Sequence, residues 1–190
     1  MPNAAREVSS LVELYRQQGA KPLTGGDATK QAWMTEAPNY RVLHIATHGI
    51  LNPANPMYSW LSLAPGRDAS DGALEARDIL AMNLHADLAV LSGCDTARGG
   101  VLSGEGVVGM SWAFLAAGAR ATVASQWAVD SAGTTELMLA FHRNLKLAPG
   151  GNNQPGRARS LQKAMLAVRR LPQYSHPFYW ASFVMIGNGY

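Results

Sequence analysis

Three apolar, partly β-branched runs alternate along the chain with stretches in which apolar residues recur at helical spacing. The runs cover residues 40–49, 86–94 and 120–129, and each is typical of a strand buried on both faces of a parallel sheet. Two further strands are predicted over residues 60–65 and 179–187. Because strands and helices alternate, we expect an α/β fold with a mainly parallel central sheet and helices on both of its faces.

The helical stretches have recognisable ends and differ in how apolar they are. Asp27 is the expected N-cap of the second helix, and Asp130 or Ser131 that of the fifth. The fourth helix is apolar almost all round, which predicts that it is buried, with Trp112 in the core. The helices are predicted over residues 4–18, 27–37, 75–83, 104–117 and 131–146, and in a basic segment after residue 156.

Length and composition narrow the class of protein. A chain of 190 residues fits one domain, residues 1–190, in which residues 1–23 form an N-terminal helix and lead-in. The one cysteine excludes an internal disulfide framework and a zinc site built from several cysteines. We expect a cytoplasmic protein that does not enter the membrane, because there is no apolar run of membrane-spanning length and no signal-like N-terminus.

The charge is unevenly distributed. All 13 acidic residues lie within residues 1–150, whereas residues 151–190 contain five basic residues and no acid. A basic segment can bind nucleic acid, but here Arg159, Lys163 and Arg170 interleave with apolar residues at helical spacing. That pattern is typical of a helix with a solvated outer face, so a nucleic-acid partner is not favoured.

Reactive side chains follow two of the predicted parallel strands, at the edge where such sheets bind ligands. Thr47-His48-Gly49 ends the first strand, and Gly93-Cys94 ends the second. If the two strands are neighbours, His48 faces Cys94, which is the arrangement of a cysteine nucleophile and its imidazole partner. The backbone amides of Gly49 and Cys94 can then bind an oxyanion. The alternative is a small buried thiol and a hydrogen-bonded histidine without catalytic roles.

Several segments resemble the CHAT domain, a member of the caspase and separase clan of cysteine peptidases. They occur in family order: HIATHG, LAVLSGCDTARGG, GEGVVGMSWAFLAAGAR, ATVASQWAVDSAGT and HPFYWASFVMIG. The resemblance implies a caspase-like three-layer α/β sandwich, His48 and Cys94 as the catalytic pair, and Gly49 and Cys94 as the oxyanion amides. It also implies peptide-bond cleavage in active members, and an association with helical repeats, which this chain lacks.

Acidic residues near the same edge suggest a substrate preference. Asp95 follows Cys94 directly and Asp130 follows the third strand, so a cationic substrate side chain, Arg or Lys, is favoured. The alternative is that Asp95 binds amides of its own loop and that Asp130 caps the next helix. Gln126 and Trp127, at the end of the third strand, are expected in the wall of the substrate pocket.

We therefore expect a cysteine endopeptidase that acts on a protein or peptide and needs no metal or organic cofactor. One alternative is a catalytically silent caspase-like domain that binds a regulatory partner or a helical-repeat region. Another is a small-molecule enzyme, because residues 104–109 fit GxGxxG; however, they lie too far from the preceding strand for a dinucleotide site. His44 and His48 would stand about 13 Å apart on a strand, too far to share a metal, so His44 is expected in the core.

Overall fold

The computed structural model describes residues 2–52, 54–66, 72–93, 103–128, 130–147 and 156–190. The helices are α1 (Pro2–Leu14), α2 (Lys30–Glu36), α3 (Ala76–Leu80), α4 (Ser103–Ala116), α5 (Ser131–Leu147), α6 (Arg157–Arg169) and α7 (Pro177–Trp180). The strands are β1 (Val42–Ile45), β2 (Gly49–Ile50), β3 (Trp60–Ser62), β4 (Ala73–Glu75), β5 (Leu88–Leu91), β6 (Ala121–Ser125) and β7 (Phe183–Gly187).

A four-stranded sheet in the order β1-β5-β6-β7 forms the centre of the fold. β1, β5 and β6 run parallel, and β7 is antiparallel to β6. The parallel strands are mainly apolar and β-branched, with His44 and Ser125 as the polar exceptions, and β5 and β6 are buried along their whole length. This burial on both faces confirms the predicted strand type for β5 and β6. The prediction is wrong for β1, because this strand lies at the edge of the sheet, where Val42 is exposed and His44 is half-buried.

Alternate residues of the central strands enter two separate apolar cores. On one face, Leu43, Ile45, Ala89 and Leu91 pack with Phe114 of α4. On the other face, residues of β5 and β6 pack against α5 and α6. That second core includes Leu88, Val90, Ala121, Val123, Leu137, Met138, Phe141, Leu161, Ala164, Val168 and Phe183. A sheet with helices on both faces is the three-layer caspase-like sandwich that the sequence predicts.

Local differences from the prediction have identifiable causes. The apolar run 40–49 divides between β1 and β2, and β2 belongs to a second, antiparallel sheet in the order β2-β3-β4. Thr29, and not Asp27, caps α2, because its hydroxyl accepts a hydrogen bond from the Ala32 amide at 3.1 Å. The predicted last strand starts at Phe183, since Pro177 initiates the short helix α7 before it.

The expectation that Trp112 lies in the core is wrong. Its side chain is 52% exposed, whereas Met110, Ala113 and Phe114 of the same helix are buried. Among residues 109–116, the apolar side chains that face the sheet are covered, but Trp112 and Ala116 on the opposite side of the helix are exposed. Apolar composition all round the helix therefore does not reveal which side the fold covers.

Helix α1 lies beside α5 on the second face of the sheet. Within the described ranges, every helix is too short or too polar to span a lipid bilayer.

Candidate functional site

The carboxyl ends of β1 and β5 meet at one edge of the central sheet. Ile45 is paired with Leu91 at the last position of both strands. One residue further on, the Ser92 amide donates to the Ile45 carbonyl at 2.8 Å, which extends the pairing beyond the strands. The two chain segments that contain the predicted catalytic pair thus leave the sheet side by side.

Gly93 is wedged against the connection between β1 and β2. A Cβ atom at Gly93 would lie 2.6 Å from the Thr47 carbonyl oxygen and 3.6 Å from the Gly49 amide nitrogen. The carbonyl of Gly93 accepts a buried hydrogen bond from the Ser125 hydroxyl, at the end of β6, at 3.1 Å. Only a residue without a side chain fits here, so the backbone just before position 94 lies directly against residues 47–49.

The small sheet fixes the backbone around His48. The Ser62 amide of β3 donates to the His48 carbonyl at 2.8 Å, and the Thr47 hydroxyl donates to the Ser62 carbonyl. Gly49 is buried and paired with Leu61. His48 itself is half-buried. The unpredicted second sheet therefore holds the predicted general base and the predicted oxyanion amide of Gly49 in place.

The predicted nucleophile Cys94 and the predicted acid Asp95 lie outside the described residues. The structure therefore shows where the segment before them ends, at Gly93, and gives no geometry for the two residues themselves.

Three predicted pocket residues follow β6 at the same edge of the sheet. Gln126 is exposed, and its amide donates to the Ser182 carbonyl at 2.8 Å. Trp127 is half-buried and donates its indole N–H to the Phe178 carbonyl at 3.2 Å. Asp130 is exposed and caps α5, because its Oδ2 accepts the Gly133 amide at 2.7 Å. Asp130 therefore has the capping role that the sequence offers as the alternative, and its carboxylate is also exposed to solvent.

Two tyrosine rings lie beside Asp130, and the sequence does not predict this arrangement. A Cβ on Gly133 would lie 3.4 Å from the rings of both Tyr174 and Tyr179 and 3.5 Å from Asp130 Oδ2. The two tyrosine rings stack at a tilt with their centroids 5.4 Å apart. The sequence HPFYW contains some of these rings, but only the tertiary fold shows that they adjoin the end of β6.

Residues 104–109, which fit GxGxxG, lie inside helix α4, which begins at Ser103. Gly109 instead permits close packing, because a Cβ there would come within 2.9 Å of the Pro56 Cβ. In the described part of the chain, no three His, Cys, Asp or Glu side chains are grouped so that they could hold a metal ion.

The fold and the arrangement at the ends of β1 and β5 define the class: a caspase-like, peptidase-related domain. The chain belongs to the CHAT domain family, whose family model matches residues 1–188. It is also similar to tetratricopeptide repeat protein 28, with 32% identity to the mouse protein and 31% to the human protein over 220 residues. The alignments cover 99% of this chain but only 9% and 8% of those relatives, so the chain spans less than a tenth of their length.

Proposed function

We propose that this CHAT domain is a cysteine endopeptidase with His48 and Cys94 as its catalytic pair. The main support is the position of Gly93 against the backbone of Thr47 and Gly49. Gly93 directly precedes Cys94 in the sequence, and Thr47 and Gly49 flank His48, so this backbone contact supports the pairing of the two residues. Residues 1–190 would act as one domain, with residues 1–23 as its lead-in.

The chemistry would follow from this pairing. His48 would take the thiol proton of Cys94, the thiolate would attack the substrate carbonyl, and a thioester would form as the peptide C–N bond breaks. The imidazolium would return the proton to the leaving amine. The amides of Gly49 and Cys94 would stabilise the oxyanion, and water would then hydrolyse the thioester. This sequence uses only the chain's own groups and water.

We propose a preference for Arg or Lys at the cleaved position. Asp130 presents an exposed carboxylate at the carboxyl edge of β6, next to the rings of Tyr174 and Tyr179. A carboxylate beside aromatic rings favours a cation, and it disfavours an acidic side chain through like-charge repulsion. Asp95 would add to the negative charge, and Gln126 and Trp127 would line the wall of the pocket.

The second candidate is a catalytically silent domain that binds a regulatory partner. The names of the relatives refer to tetratricopeptide repeats, which supports a helical-repeat region or partner for this chain as well. Under either function we propose a cytoplasmic protein with a protein or peptide ligand.

The single cysteine of the chain makes a direct test possible. We expect a peptide-based electrophile ending in Arg to alkylate the wild-type chain stoichiometrically, and the Cys94→Ala variant not at all. His48→Ala should slow alkylation at pH 6.5 by at least about tenfold, because an unpaired thiol has a pKa near 8.5 and is little ionised there. His85 is exposed, so His85→Ala is the matched control and should react like the wild type.

Turnover distinguishes the two candidate functions. A peptidase should cleave members of a peptide library after Arg or Lys, and Cys94→Ala should abolish this cleavage while the fold remains intact. Alkylation at the same rate in the wild type and in His48→Ala, together with no cleavage of the library, would favour the silent binding domain.

A further inference from the structure

A chain of hydrogen bonds between ionisable side chains connects α1 to the central sheet and to α5. Glu7 Oε1 lies 2.7 Å from His44 Nε2 on β1. His44 Nδ1 lies 3.1 Å from His142 Nε2 on α5, and His142 Nδ1 lies 3.0 Å from the hydroxyl of Tyr15, just after α1. We call these four side chains, Glu7, His44, His142 and Tyr15, the polar latch.

The polar latch lies inside the protein. Glu7 is 2% and His142 is 1% exposed, and the side chain of His44 is 11% exposed. The second oxygen of Glu7 lies 3.1 Å from the hydroxyl of Thr135 on α5. A buried network of this kind is favourable only while each member has its partner.

One arrangement of protons satisfies every bond of the polar latch. Tyr15 donates its O–H to His142, neutral His142 donates its Nε2–H to His44, and neutral His44 donates its Nε2–H to the Glu7 carboxylate. The bond between the two imidazoles needs one donor and one acceptor. A proton on both facing nitrogens, His44 Nδ1 and His142 Nε2, would place two N–H groups against each other and break this bond.

The surroundings of His142 oppose its protonation. Burial lowers the pKa of His142 well below its usual value, and the adjacent His44 lowers it further. Facing His142 are His44 from β1 and Tyr15 from the end of α1, with Glu7 behind His44. On α5, Lys146 lies 6.0 Å from the centre of the Tyr15 ring.

Helix α1 packs on α5 but adds few apolar side chains to the interior. Leu11 is its one buried apolar residue among those described, and it belongs to neither of the two apolar cores. The other polar contacts of α1 with α5 lie nearer the surface: the exposed pair Arg6–Glu136 at 3.0 Å, a hydrogen bond from Lys146 Nζ to the Leu14 carbonyl, and one from the Thr135 hydroxyl to the Asn3 carbonyl at 3.5 Å. Exposed ion pairs contribute little to stability, so the polar latch and the Thr135–Glu7 bond form the buried polar attachment of α1.

We propose that the polar latch is a pH-sensitive contact. It holds α1 on the domain at neutral pH and releases it in mildly acidic conditions. Release removes Glu7 and Tyr15 and exposes His142 to water, where it takes up a proton. The state in which α1 is released binds one more proton than the closed state. Release of α1 therefore becomes more favourable as the pH falls below the ordinary histidine pKa of about 6.5.

The inference goes beyond the proposed peptidase function and can be tested without it. Hydrogen exchange of backbone amides in α1 and β5 is measured from pH 8 to pH 5 and corrected for the intrinsic exchange rate. We expect the opening constant of α1 to be constant above pH 7 and to rise by up to tenfold per pH unit below about 6.5. The amides of β5 should not follow this rise, because only α1 is released.

A matched pair of variants tests the role of His142. His142→Gln retains a donor and an acceptor but cannot titrate, so it should remove the acid-dependent rise in α1 exchange. His85→Gln changes an exposed histidine and should leave the rise unchanged. Imidazole nitrogen shifts of the wild type provide a second measurement, which does not depend on whether His142→Gln folds: His142 should be neutral while α1 is protected and protonated when it is open.

Three results would overturn the proposal. One is an α1 opening constant that does not change between pH 8 and pH 5. The second is parallel exchange of α1 and β5, which would mean global unfolding instead of release. The third is an unchanged acid-dependent rise in His142→Gln.

Discussion

Substituting Gly93 by alanine tests whether the close contact at the ends of β1 and β5 organises the site. The new Cβ would lie 2.6 Å from the Thr47 carbonyl oxygen, about 0.8 Å short of ordinary van der Waals contact. Thr47 cannot easily move, since its hydroxyl is bonded to Ser62 and the next carbonyl accepts the Ser62 amide. Overpacking costs about 1–3 kcal/mol, and the lower entropy of the unfolded Ala chain offsets about 0.4–1 kcal/mol. We expect a net loss of about 1.3 kcal/mol in the free energy of unfolding.

Urea unfolding of Gly93→Ala and Gly26→Ala provides the comparison. Gly26 has nothing within 4 Å of its Cβ position and is not in the left-handed region, so its replacement should be neutral or slightly stabilising. With a slope of about 2 kcal/mol per M, Gly93→Ala should unfold at about 0.6 M less urea than the wild type. Unfolding of both variants within about 0.2 M of the wild type would show that the contact between residues 93 and 47 does not constrain the site.

Phe114→Ala should cost about 3–5 kcal/mol in unfolding free energy, because Phe114 is fully buried. Trp112 is half-exposed, so Trp112→Ala should cost only about 1–2 kcal/mol. Equal losses in the two variants would contradict the observed orientation of α4. Asp130→Ala should lose about 1 kcal/mol through the missing cap of α5, and Asp130→Asn should retain the cap but lower any preference for Arg or Lys in a cleavage assay. Burial raises the pKa of Tyr15 to about 12, so the free energy of unfolding should fall as the pH rises from 10 to 12. The free energy of unfolding of Tyr15→Phe, measured over the same pH range, should lack this fall.

The central sheet was predictable because its strands consist of contiguous apolar residues that are buried on both faces. The run 86–94 contains β5, and the run 120–129 contains β6. The small sheet was not predictable in this way. β2 has two residues and β4 has three, too few to show an alternating pattern, and β2 continues the apolar run of β1.

The site was predictable only as far as residue type and strand ends determine it. Gly93 and His48 follow predicted strands, and the structure brings their backbones together. The aromatic neighbours of Asp130 come from a segment more than 40 residues later in the chain. The His44–His142 bond joins residues 98 positions apart, so no local pattern in the sequence indicates it.

The position of β7 beside β6 affects when the central sheet can form during synthesis. β6, buried along its length, has β5 on one side and β7 on the other, and β7 is translated about 60 residues after β6. Until then the nascent chain has an unpaired apolar edge, which is prone to aggregate. The Gln126 amide also lacks its Ser182 partner during that interval. A chain that has not yet reached β7 would therefore lack the strand and the Ser182 carbonyl that hold the carboxyl end of β6 in place.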